Sequence, residues 1–589
     1  MQKKMLAGWF VLAFSLTLTA HAAADDYAQI YFSRGVSFVN MQDYETAILE
    51  FNDATTIDPS FTVAYLWRGY AFSQQGEIDR AIADYTQAIR IDPYYTDAYI
   101  NRGMAYYYKG DIDNTIADYT QVIRLDPFYT DAYINRGAAY CLKGDYDSAI
   151  ADYDQVIKLN PSYIYAYNNR GAAYYSKGDM DRAVVDYTQA IRIDPNYTDA
   201  YGNRGLLFVG KGDDDGAISD FTQVIRLNPD DLWAYYNRGV AYNNKGYYNN
   251  AIADFTQVIK INPNEVRAYY NRGNSHAALG DIDKAIMDFT QAIRINPNEA
   301  QAYYNRGNVY SSSGDYDRAI ADYTQAVRID PNEARAYYNR GNVYDALGDI
   351  DKAIADYTQA IRIDPNYIHA YNNRGNAFDR QGDRVGATAD YSQAIRLNPH
   401  NAVAYYNRGV AYKNAGDYDR AIADFTQAVR INPNYTDAYN NRGNAYYQKN
   451  DIDRAIADFS QAIRTDPSYI YAYNNRGAAY YLKGDIREAL TDYTQAIRAD
   501  PIHADAYNNR GMVYKNIGDY DKAIADFNQA IRIDPYYADA YNNRGNAYYY
   551  KDDLSKAMTD YSQAIRIDPN HTLAKQNLEA AEKARGRGY

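Results

Sequence analysis

Along most of the chain the apolar residues fall on two short helical stripes, and the two stripes return as a pair every 34 residues. In residues 98–129 (AYINRGMAYYYKGDIDNTIADYTQVIRLDPFY), Tyr99, Gly103, Ala105 and Tyr106 share one face at helical spacing. Ile116, Tyr119, Val122 and Ile123 share a second face further on. Between the two, Gly110 fits the left-handed residue that ends a helix, and Asp111 fits the N-cap of the next. Asp126-Pro127 then stops the second helix, because proline lacks the amide proton and its ring clashes with the preceding turn. Neither helix could bury its stripe alone. Stacking each pair on the next gives a continuous core made of nearest-neighbour contacts.

Arg-Gly dipeptides fix the period: their glycines run from Gly35, Gly69 and Gly103 to Gly545 in sixteen copies without an insertion. All sixteen prolines, Pro59 to Pro569, keep one phase with them. With Gly35 as position eight of the first copy, residues 28–571 are sixteen tandem repeats, with Tyr at position four and Pro at thirty-two. Positions eleven and twenty-four are usually Tyr or Phe. Residues 572–589 read as a capping helix and tail, with Leu573 and Leu578 expected to face inward. The sixth copy adds Gly202, Gly210 and Gly216 inside its helical stretches, at a cost of about 0.8–1 kcal/mol each, which predicts a flexible joint there.

This unit resembles the tetratricopeptide repeat, and the likeness spans Ala28 to His571. The fold class it implies is all-α: a right-handed superhelical solenoid of sixteen helix-turn-helix repeats with a C-terminal capping helix. The chain departs from the family at position seven, where leucine is usual and every copy here has arginine, as at Arg102, Arg136, Arg306 and Arg544. Position twenty-three is acidic in all copies, from Glu50 and Asp84 to Asp560, so an arginine–carboxylate pair joining the two helices is expected. A ladder of free arginines that binds anions is the competing arrangement.

The resemblance further implies that the first helix of each repeat lines a concave face through positions two, five, six, nine and twelve. Position six carries Asn101, Asn135, Asn169, Asn203, Asn237, Asn271, Asn305, Asn339, Asn373, Asn407, Asn441, Asn475, Asn509 and Asn543. A regular row of carboxamides can engage successive peptide groups of an extended chain, and it is similar to the asparagine ladder of O-linked N-acetylglucosamine transferases. Copies eight to eleven stand apart as a candidate selectivity patch. It comprises Arg267, Arg335 and His369 at position two with Asn274, Asn308, Asn342 and Asn376 at position nine. Flanking copies have Asp97, Asp131, Asp199, Asp437, Asp505 and Asp539 at position two, so a ligand with carboxylates at its centre is expected.

Composition narrows the partner. A net charge of −14 and the absence of basic runs disfavour nucleic acid, whose backbone is held by clustered Lys and Arg. Partners are therefore expected to be other proteins or peptides. Polysaccharide is the alternative, because many of the seventy tyrosines fall at groove positions where rings could stack on sugars. The histidines sit in separate copies with no metal or triad spacing, and the single cysteine Cys141 makes no thiolate cluster; no enzyme activity, cofactor or metal is expected. Lys3 and Lys4, the apolar stretch Met5–Leu18 and small residues at Ala20-His21-Ala22 read as a signal peptide over residues 1–24. The chain is thus expected to be exported, periplasmic or secreted. No cysteine follows the stretch for lipid attachment, and no later segment is apolar enough to span a bilayer.

Overall fold

The structure of the chain is a computed structural model that describes residues 24–586. The expected leader lies outside the described residues except for Ala24, which opens the first helix. Among the described residues there are thirty-three α-helices and no strand, and none of the helices is long and apolar enough to cross a membrane. They fall into two compact units, Met1–Pro297 and Asn298–Tyr589. In the first, helix pairs run from Ala24–Asn40 with Tyr44–Ile57 to Val266–Ala278 with Ile282–Ile295. In the second, they run from Ala300–Ser312 with Tyr316–Ile329 to Ala538–Tyr550 with Leu554–Ile567, followed by Thr572–Gly586. Within each unit, each first helix packs on its own second helix, and that second helix packs on the next first helix.

Local chemistry sets these boundaries as expected. Gly110 takes φ +83°, and the same left-handed position is glycine in thirteen repeats. Gln42, Asn450 and Asp552 hold that conformation in the other three, at φ 60–61°. Asp111 caps the following helix by accepting from the Asn114 amide at 3.3 Å. At the repeat junction, Asp126 Oδ1 accepts from the Phe128 amide at 2.9 Å, which closes the turn around Pro127.

The core is built from one ring and several very small residues per repeat. Position twenty-four supplies the ring, as in Tyr85, Phe255 and Phe459, all wholly buried. It lies against the Arg-Gly glycine: a Cβ on Gly239 would stand 2.8 Å from Phe255 Cε1. Alanines such as Ala81, Ala88 and Ala98 complete the layer with no exposed surface. The recurrent glycine is therefore a close-approach residue, since in fifteen of the sixteen repeats a Cβ there would stand 3.0 Å or less from the ring, Gly103 being the exception at 3.4 Å.

The structure bears on two further expectations. In the sixth repeat the helices Thr198–Lys211 and Asp214–Leu227 run unbroken. A Cβ on Gly202 would lie 3.0 Å from Trp233 Cζ3, so this glycine makes room for the next repeat's indole. In the terminal helix Leu573 is 61% exposed, while Ala574 and Ala581 are the buried residues and Leu578 is partly buried against Ala557, Tyr561 and Ala581. That helix docks as a first helix does, through small residues at positions three and ten, which leaves position two outward.

Candidate functional site

Arginine at position seven is a structural stitch. All sixteen copies pair with the acidic residue at position twenty-three, from Arg34 with Glu50 to Arg544 with Asp560. In repeat 3, Arg102 Nε and Nη2 donate to the two oxygens of Asp118 at 2.9 and 2.7 Å. Its remaining Nη1 donates to Thr86 Oγ1 of the preceding repeat at 3.1 Å. The guanidinium also lies over the Tyr99 and Tyr106 rings, 5.6 and 5.9 Å from their centroids. Each of these arginines therefore holds its own second helix and, in most repeats, the second helix before it. No charge is left over for an anion ladder.

The position-six asparagines are half-buried, and their donors are largely committed within the fold. Asn271, Asn339 and Asn373 donate from Nδ2 to the hydroxyls of Tyr236, Tyr304 and Tyr338, position five of the preceding repeat, at 3.0–3.1 Å. Asn203, Asn475, Asn509 and Asn543 donate in the same register to the carbonyl oxygens of Asn168, Asn440, Asn474 and Asn508 at 3.0–3.1 Å. The terminal helix continues the row, with Asn577 donating to Asn542 at 2.9 Å. In two of the four copies where position five before it offers no oxygen, the amide turns to its own helix. Asn101 follows Leu66 and donates to the Asp97 carbonyl; Asn237 follows Gly202 and donates to the Trp233 carbonyl, both at 2.8 Å. Asn441 does both, and its Oδ1 accepts from Lys413 at 2.7 Å. Burial pulls the Lys413 ammonium below its usual range.

The position-nine asparagines are struts in the same network. Asn308, Asn342 and Asn376 each accept at Oδ1 from the position-twenty-four tyrosine of their own repeat, Tyr323, Tyr357 and Tyr391, at 2.7–2.9 Å. The same three oxygens accept from Asn339, Asn373 and Asn407 of the following repeat at 2.9–3.0 Å. Their carbonyls are thus engaged inward, because a buried phenol needs an acceptor. Burial holds the Tyr357 and Tyr391 phenols well above their usual range, so they remain donors.

At position two, the Arg335 charge is balanced locally. Arg335 forms a two-pronged pair with Glu333 at 2.8 Å and lies 5.3 Å from the Tyr304 ring centroid. His369 meets the Tyr367 ring edge-on at 6.5 Å. Arg267 and Asn274 belong to the first unit and the other five patch residues to the second. The flanking acids accept from position thirty-four of their own repeat: Asp131 from Tyr163, Asp437 from Tyr469 and Asp505 from Tyr537, at 2.7–3.1 Å. Sequence reasoning placed position five in the groove but missed that its tyrosine or asparagine is the acceptor for the ladder. The signal available was the recurring pair of an oxygen-bearing side chain and an asparagine 35 residues later.

Comparison with known families settles what such a repeat is. A model described as TPR repeat matches residues 69–107, 137–178, 205–246, 241–280, 307–348, 385–416, 443–484 and 477–518, more than half the chain. The chain belongs to the tetratricopeptide-repeat family. Further models of the tetratricopeptide repeat match single units, among them residues 28–61, 96–129, 266–299 and 538–571, and others straddle repeat junctions, such as 118–151. A comparison with curated proteins finds no match. Among solved structures, YrrB, described as a TPR protein with an unusual peptide-binding site, is 27% identical over 32% of this chain and 96% of its own, with a TM-score of 0.27. A tetratricopeptide-repeat protein from Parabacteroides merdae is 21% identical over 42% of this chain and 98% of its own, at 0.36. Yeast Tom70 is 19% identical over 78% of this chain and 96% of its own, at 0.32.

Proposed function

We propose that this tetratricopeptide-repeat protein is an exported, non-catalytic scaffold that holds extended polypeptide along the first-helix faces of its repeats. The observation that carries the reading is the state of the position-six carboxamides. In Asn373, Asn475, Asn509 and Asn543 the Nδ2 is committed within the fold, and no described side chain or backbone group donates to the Oδ1. An amide pinned through its donor is a preorganised acceptor, and main-chain N–H groups are what every polypeptide presents whatever its side chains. Export is supported by Lys3 and Lys4, the apolar stretch Met5–Leu18 and the small residues that follow.

A dodecapeptide phage selection on the chain without its first 24 residues, followed by fluorescence anisotropy with the enriched peptides, tests the reading. Replacing Asn373, Asn475 and Asn509 together by alanine is expected to weaken binding about tenfold or more, three hydrogen bonds at about 0.5–1.5 kcal/mol each. The far-ultraviolet circular dichroism should not change. Unaltered affinity in the triple variant would sink the proposal, and glycan binding on an array with no peptide enrichment would replace it with polysaccharide recognition.

A further inference from the structure

Repeats 2 and 3 of the first unit form a half-open pocket of about 310 Å³. Its walls include Ser73, Ile78, Tyr85, Asn101, Met104 and Tyr108. The equivalent space one repeat on, beneath Tyr119, is only about 10 Å³. The difference follows from position twelve: repeat 3 has Tyr107 there and its ring fills the space, whereas repeat 2 has Ser73.

Tyr85 gives this cavity its chemistry. Its side chain is wholly buried, and its Oη makes no well-formed hydrogen bond, the Ser73 hydroxyl approaching it without completing one. Four tyrosines at the same position, Tyr323, Tyr357, Tyr391 and Tyr561, donate to an asparagine at position nine of their repeat. Repeat 2 has Tyr70 at that position and no carboxamide. Of the three other polar side chains on its wall, Ser73, Gln74 and Asn101, two have already spent donors elsewhere. Ser73 Oγ donates to the Tyr70 carbonyl and Asn101 Nδ2 to the Asp97 carbonyl, both at 2.8 Å. Burial pushes the Tyr85 phenol up, so at neutral pH it is a donor. The pocket thus offers one buried donor at Tyr85, acceptor lone pairs on Ser73 and Asn101, the exposed Gln74 carboxamide at its outer side, and an apolar wall of Ile78, Met104 and Tyr108. No charged side chain lines it.

We propose that this cavity is a side-chain pocket for a glutamine of the polypeptide held by the first unit. A primary carboxamide matches it atom for atom, because its carbonyl accepts from Tyr85, its amino group donates to Ser73 or Asn101, and its methylenes lie on the apolar wall. A carboxylate or ammonium ion would be desolvated there with no counter-charge. The pocket rests on the polypeptide-binding reading for the source of its occupant, and not for its chemistry.

The test uses the full repeat array with methyl-13C methionine, the Met104 signal being assigned by loss in Met104→Leu. Propionamide, which reproduces the glutamine side chain, is expected to shift the Met104 methyl signal saturably, whereas propionate at equal concentration leaves it in place. Tyr85→Phe removes only the unpartnered hydroxyl, so it folds, and it should raise the propionamide midpoint about tenfold. An unmoved Met104 signal, an equal response to propionate, or an unchanged midpoint in Tyr85→Phe would each overturn the pocket. A saturable amide response from an array that captures no peptide would keep the pocket and remove the polypeptide reading. Peptide capture with a silent Met104 would do the reverse.

Discussion

Glycine substitutions within a single helix separate the two reasons a repeat has glycine. Gly205 and Gly210 both lie in Thr198–Lys211, so alanine gains the same helix propensity at each, about 0.8–1 kcal/mol. At Gly210 no atom lies within 4 Å of the new Cβ, and the gain is expected in full. At Gly205 the Cβ would stand 2.9 Å from Phe221 Cε1 and 3.0 Å from its Cζ, against a ring with no exposed surface and no room to withdraw. Overpacking of this kind costs about 1–3 kcal/mol, which outweighs the propensity term and leaves a net loss of up to about 2 kcal/mol. Native-state amide exchange read by mass spectrometry over residues 198–227 resolves the two. Gly210→Ala should slow exchange about four- to fivefold and Gly205→Ala should accelerate it. A shift in the same direction for both would refute the close-approach account of the Arg-Gly glycine. Exchange in the sixth repeat no faster than in its neighbours would likewise dispose of the flexible joint expected from its three glycines.

Three further outcomes are expected. Asp552→Gly should raise the stability of the last repeat by about 1 kcal/mol, because Asp552 holds φ 61° where thirteen repeats have glycine; thermal melts followed by circular dichroism read it. Asp118→Ala should cost about 3–5 kcal/mol locally by stranding the Arg102 guanidinium, and it should speed exchange most in repeats 2 and 3; an effect confined to a surface-pair magnitude would contradict the stitch. Alkaline titration at 295 nm should be heterogeneous. Burial pushes Tyr367 and Tyr435 up to about 12 and Tyr119, Tyr153 and Tyr187 further, so the folded state favours the neutral phenol. The stability this gives is complete below about pH 10 and is lost as pH rises through about 12. Helix content should therefore fall together with the late ionisations. All tyrosines ionising near pH 10 with helices intact would be the contrary result.

The repeat architecture was legible because its markers act locally: proline stops a helix, a left-handed glycine ends one, and aspartate caps the next. The arginine–carboxylate stitch was legible because arginine and an acidic residue recur without exception sixteen positions apart. The asparagine ladder was legible as a row but not as a set of bonds. Whether Asn101 donates within its helix, or Asn475 across to Asn440, depends on the residue stacked beside it in the neighbouring repeat. A periodicity argument treats those copies as equal. The position-nine asparagines show the same limit, since a groove-facing carboxamide and a strut to a buried phenol share one position in the pattern and differ only in which way the oxygen turns. The small-residue core was partly hidden too: in the terminal helix the eye goes to Leu573, while Ala574 and Ala581 make the contact.

The constant offsets of the stitch carry a consequence for how such a chain can change over generations. Arginine reaches a hydroxyl sixteen residues back and asparagine an acceptor 35 residues back in repeat after repeat. Excising any 34 residues between two equivalent points therefore presents each surviving arginine and asparagine with the same partners at the new junction. Even a mismatched position five is absorbed by the fallback onto the helix's own carbonyl seen at Asn101 and Asn237. Gene segments can be duplicated or lost in whole repeats without leaving a structural scar, whereas a single-residue insertion inside a helix would break both bonds at once. The number of repeats is thus a quantity this protein can adjust by counting modules.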